Sequence, residues 1–144
     1  MKTNDFLEKI DEARVVAAIA AAERKSSGEI RIFVSSKKAT QPLAQAQAHF
    51  RKLGMEKTKD RNGVLLFLSP QAQQFAIIGD AGVHEKCGPA FWEEIAASMG
   101  TLLREGRFTE ALLEAIQRTG SLLALHFPRD PGDTNELPDQ IVRD

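Results

Sequence analysis

Apolar positions along the chain follow two rhythms, one of about 3.6 residues and one of two. From residue 4 to about 26, Phe6, Leu7, Ile10, Ala13, Ala17 and Ala20 return at helical spacing. Asn4 is placed to cap that helix and Gly28 to stop it. Glu29 to Ser35 alternates, with Ile30, Ile32 and Val34 set against Arg31 and Phe33, and predicts a strand. Thr40 and Pro42 open a second helix that puts Leu43, Ala46, Phe50 and Leu53 on one face and ends at Gly54. Two short β-runs follow, Val64 to Leu68 and Phe75 to Ile78, with Pro70 forcing a turn between them. The short connection predicts an antiparallel hairpin, whereas the helix between the first and second strands predicts a parallel crossover. Together they require a mixed sheet.

The rest of the chain reads as helical. Phe91, Trp92, Ile95, Met99, Leu102 and Leu103 form one stripe after Pro89, and Gly106-Arg107 breaks it. Phe108, Ala111, Leu112, Ala115, Ile116, Thr119 and Leu123 form another, ending near His126 before Pro128. Residues 1–128 are thus expected to be a single α/β domain. Residues 129–144 hold two of the six prolines and five acids, and predict an extended acidic tail.

Composition changes this picture little. The chain has 144 residues, enough for one domain with a real core, with 42% apolar and 27% charged residues. No apolar run approaches the ~20 residues needed to span a bilayer. Acids stand near the start where a signal peptide would be apolar, so no such peptide and no membrane insertion are expected. A single cysteine, Cys87, excludes an internal disulfide and a cysteine-rich zinc site. A cytoplasmic monomer is the resulting expectation. Residues 1–60 carry twelve Lys/Arg against eight Asp/Glu, while residues 129–144 carry two against five. No dense basic stripe with interleaved aromatics occurs, which argues against nucleic acid as a partner.

Candidate chemistry concentrates at residues 61–82, where the two β-runs close on Gly79-Asp80-Ala81-Gly82. Asp80 between glycines at a strand end could ligate a hard cation, or could cap the next turn. Glu29 could add a second carboxylate, or lie in solvent after the Gly28 turn. Asp60 could add a third, or be an ordinary turn residue before Asn62-Gly63. In the tail, Asp133 and Glu136 could fold back onto the loop. They do not form an EF-hand, because the positions that loop needs at 5, 6 and 12 are Leu137, Pro138 and Asp144. Phosphatase signatures fail in turn. After Cys87 and five intervening residues comes Glu93 where a phosphate-binding arginine belongs, and Asp80 is followed by Ala81-Gly82 rather than by a second acid two residues on. His49, His84 and His126 lie far apart, and Gly82 leads into Val83-His84 instead of a P-loop lysine. His84 could still ligate a metal or be a plain loop histidine. Cys87 and Trp92 read as core residues.

The ordered set Ser27-Gly28-Glu29-Ile30-Arg31, Phe50-x-x-Leu53-Gly54-Met55, Arg61-Asn62-Gly63-Val64-Leu65 and Ile78-Gly79-Asp80-Ala81-Gly82 resembles the TPM domain family. Phe91-Trp92, Gly106-Arg107-Phe108, His126-Phe127-Pro128 and Asn135-Glu136-Leu137-Pro138 continue it. The family includes thylakoid-lumen acid phosphatase, photosystem II repair and receptor-modulator domains. The resemblance implies a three-layer α/β/α sandwich, divalent-metal binding (calcium, or magnesium) and, in one branch, phosphatase activity. It also directs attention to Asp80 as the principal ligand, helped by some of Glu29, Asp60, Asp133 and Glu136. Three functions follow as expectations. The first is a non-enzymatic binding or assembly module with a cation site and a protein partner. The others are a metal-assisted phosphatase on small phosphate esters, and a domain for a peptide or membrane-protein partner without metal.

Overall fold

A computed structural model of the protein describes residues 1–129 and 139–144. The expected first helix is two. Helix α1 (Thr3–Glu8) ends at Lys9, and α2 (Glu12–Glu23) starts again from Asp11. The break has a local cause: the Asp11 carboxylate accepts the Arg14 N–H at 3.3 Å, an N-cap inside the apolar rhythm. Asn4 lies within α1 and caps nothing; its Oδ1 accepts from Arg143 instead.

Strand β1 (Glu29–Val34) leads into α3 (Pro42–Lys52), then β2 (Gly63–Ser69) and β3 (Gln74–Gly79). Strands β1 and β2 are parallel, with Ile30 opposite Val64, and β2 and β3 are antiparallel, with Val64 opposite Gly79. Both pairings match the spacing argument. Leu43, however, is 57% exposed, so α3 buries Ala46 and Phe50 without it.

Helix α4 (Ala81–Cys87) is a surprise, since it is short, carries Gly82 in its first turn and ends at Gly88. Helices α5 (Pro89–Arg104) and α6 (Phe108–His126) follow where expected. Between them Gly106, at φ 77°, lets its own N–H reach Leu103 and the Arg107 N–H reach Leu102, the pairing that closes a helix at a left-handed residue. The end of the acidic segment is also structured: β4 (Val142–Arg143) pairs parallel to Phe33 and Val34. The sheet order is β3-β2-β1-β4.

The sheet is covered on both faces, which is why every residue of β1 and β2 is buried. Ile30, Ile32, Val34, Val64, Leu66 and Leu68 pack toward α2, α5 and α6. Phe33, Leu65 and Phe67 point the other way, into a smaller core with Ala46 and Phe50 of α3. This is the three-layer α/β/α arrangement around a small mixed sheet. Among the described residues no helix is long and apolar enough to cross a membrane.

Candidate functional site

The turn before β2 and the start of α4 meet at one end of the sheet. Arg61 adopts φ 52°, a left-handed conformation uncommon for a residue with a side chain. That kink turns its guanidinium toward Asp80. Nε donates to Asp80 Oδ2 and Nη2 to Oδ1, each at 2.8 Å, and Oδ1 also accepts the Ala81 N–H at 2.7 Å. Asp80 is therefore the cap of α4 and one half of a bidentate ion pair. Its carboxylate is 6% exposed, against 53% for the Arg61 side chain. Both Asp80 oxygens are thus engaged by donors, and a cation there would compete with the Arg61 pair.

The flanking glycines serve packing. A Cβ on Gly79 would lie 2.8 Å from the Trp92 ring, and one on Gly82 would lie 2.4 Å from the Asp60 carbonyl and 2.7 Å from that of Arg61. The Gly82 N–H bonds the Arg61 carbonyl at 2.9 Å, and the Asp80 N–H bonds that of Gly63 at the same distance. The backbone of turn and helix thus touch, and only glycine permits it at position 82.

Asp60 lies on the outer side of the same turn. The Asn62 amide Nδ2 donates to Ser27 Oγ at 3.0 Å, and Ser27 Oγ donates to Asp60 Oδ2 at 3.1 Å. This relay fixes the amide orientation, because Ser27 spends its only proton on the carboxylate. Asn62 is fully buried, its N–H bonds Thr58 Oγ1, and its side-chain Oδ1 has no hydrogen-bond partner among the described residues. A buried acceptor left without a donor costs about 1–3 kcal/mol. Ser27 and Asn62 are missing from the residues proposed on sequence, although both stand in the quoted family segments.

Glu29 is neither solvated nor beside Asp80. It is 1% exposed and faces Glu23 and Arg31, which are also buried. The Ile30 N–H, on the edge of β1 that β4 leaves open, donates to Glu23 Oε2 at 2.9 Å. Burial, contact with Asp139 and contact with Glu29 push the Glu23 carboxyl up to about 10, so Glu23 keeps its proton at neutral pH. Burial draws Arg31 below its ordinary value, while the charges of Glu23 and Glu29 act in the opposite direction. A sequence signal for Glu23 exists: Val15, Ile19 and Glu23 share the inner face of α2 at four-residue spacing.

The remaining candidates separate. His84 is exposed on α4, its ring 6.4 Å from that of Trp92. Cys87 is half-buried, and burial pushes its thiol up, away from the reactive thiolate. Asp133 and Glu136 lie outside the described residues. Among the described residues, no three or more His, Cys, Asp or Glu side chains are gathered to hold a metal ion.

Comparison with known proteins agrees with the fold and its motifs. The family model described as TPM domain matches residues 1–122, and the chain belongs to this family. BA42 from the psychrophilic bacterium Bizionia argentinensis, solved by NMR, is 32% identical over 92% of each chain, with a TM-score of 0.86. The N-terminal domain of a P. gingivalis protein shares the fold at 19% identity and a TM-score of 0.63, covering 79% of this chain and 76% of its own. So does the N-terminal domain of cg2496 from Corynebacterium glutamicum, at 18% identity and a TM-score of 0.59, over 78% and 71%. Curated proteins yield no match.

Proposed function

We propose that this TPM domain is a non-enzymatic binding module whose turn before β2 takes a divalent cation, calcium in preference to magnesium. The observation that carries the reading is the buried Asn62 Oδ1, without a partner among the described residues, on the turn that also carries the Asp60 carboxylate. Asp60 would supply the charge, with Asn62 Oδ1 and Ser27 Oγ as neutral oxygens. All are hard donors, and calcium accepts a loose shell of six to eight oxygens that water can complete, whereas magnesium demands a strict octahedron. The Arg61–Asp80 pair then has a structural part, holding the turn against α4. With one carboxylate in the set, affinity falls in the weak range, on the order of 10⁻⁴–10⁻³ M. Such a site would respond to calcium at extracellular-type concentrations and stiffen the turn for a protein partner.

Amide NMR tests it. Calcium is expected to shift Ser27, Gly28 and the amides of residues 60–63 in fast exchange. Asp60→Asn keeps an acceptor for Ser27 while removing the charge, and is expected to weaken binding about tenfold or more. Absence of shifts at those amides, or an identical titration in Asp60→Asn, overturns the proposal.

A further inference from the structure

A second site lies at the other end of the β2–β3 hairpin, roughly 20 Å along the strands from the Asp60 turn. A cleft of about 460 Å³ opens there between α1, the hairpin tip and the end of α5. Its walls are Phe6, Leu68, Phe75, Leu103 and Phe108. Phe6 and Phe108 meet with ring centroids 5.0 Å apart and their planes tilted by 46°. The volume falls within the range of small-molecule sites, which are mostly apolar with a few placed polar groups.

Two features say what such a ligand would carry. Arg104 stands at the cleft; among the described residues it enters no ion pair, and its one side-chain hydrogen bond is Nη2 to Thr101 Oγ1 at 3.4 Å. Glu105, its neighbour, is engaged by Arg107. Gly100 lines the same cleft from the interior of α5, where glycine costs about 1 kcal/mol relative to alanine. A Cβ there would come within 3.3 Å of Arg104 Nη1 and 3.7 Å of the Phe75 ring. The glycine keeps the space between guanidinium and ring open, against its helical propensity.

We infer that this cleft binds an apolar monocarboxylate. The hydrocarbon body would lie against Phe75, Leu103 and Phe108, and the carboxylate would pair with Arg104, whose fork of N–H groups matches it. Gln73 and Gln74, at the mouth, offer further amide donors. The inference is independent of the cation reading, because no residue is shared between the two sites.

Decanoate is the probe, with decanol as its uncharged counterpart and decyltrimethylammonium as its charge-reversed one. Calorimetry is expected to rank decanoate first, and NMR to place its shifts at Phe75, Gly100 and Leu103. Arg104 is exposed, so Arg104→Gln should fold normally. It is expected to weaken decanoate about tenfold or more while leaving decanol unchanged. Gly100→Leu, which fills the cleft, is expected to remove binding of both. No binding of decanoate at millimolar concentration, or equal affinity in wild type and Arg104→Gln, overturns the inference. So would tighter binding of the cationic probe.

Discussion

Glu23→Gln is expected to make the protein more stable than wild type at alkaline pH, with the gain growing as pH rises. The Glu23 carboxyl ordinarily titrates at 4.5 and in the fold at about 10. Its raised folded value means that its contribution is fully present below 4.5 and is lost as pH climbs toward 10, because the unfolded chain sheds the proton first. Glutamine keeps an acceptor for the Ile30 N–H and offers an amide proton toward Glu29 and Asp139, but never titrates. Urea unfolding at pH 5 and pH 8 should show the two proteins diverging by roughly 1 kcal/mol per pH unit. Parallel stability curves would show that Glu23 ionises in the folded protein. The effect is large because the side chain is buried, 2% exposed, on the unpaired edge of β1.

Gly82→Ala is the second large effect, and two terms compete in it. Alanine within α4 would gain up to about 1 kcal/mol of helix propensity. Against this, its Cβ would meet the Asp60 and Arg61 carbonyls at 2.4 and 2.7 Å. These are backbone atoms, so relief requires moving the whole turn away from α4, stretching the Arg61–Asp80 pair. Overpacking of this kind costs about 1–3 kcal/mol or more and should win. The melting temperature is expected to fall by roughly 2–4 °C per kcal/mol. An unchanged or raised value would mean that turn and helix are not in backbone contact. If the turn is also the cation site, the variant should bind calcium more weakly.

The fold was legible where periodicity was long. The stripes of α5 and α6, the β-rich run of β1 and the hairpin of β2 and β3 all translate into structure, although with both sheet faces covered the polar Arg31 of β1 is buried as well. What escaped is short or local. Asp11 interrupts the first helix through a single side-chain cap, which the apolar rhythm of Phe6, Ile10 and Ala13 conceals. Helix α4 is seven residues bounded by glycines, and only the Asp80 cap makes it visible. Strand β4 has two residues, too few for any alternation.

The site was legible by place more than by role. Residues 61–82 do converge, but Asp80 is engaged by Arg61, whose left-handed conformation cannot be read from its residue type. Glu29 turned inward because β1 is covered on both faces, a property of the assembled sheet. Asn62 owes its interest to burial and an unmet acceptor, and neither is a sequence property. Ser27 is distant in the chain from Asp60 and Asn62, and the parallel pairing of β1 with β2 brings it beside their turn.

A crystal structure of the protein soaked in calcium tests the central claim most directly. The expected result is a cation at about 2.3–2.6 Å from an Asp60 carboxylate oxygen and from Asn62 Oδ1, with the Arg61–Asp80 pair intact. A cation on Asp80 after that pair has broken, or a calcium-loaded crystal with Asp60 and Asn62 bearing no cation, would contradict it.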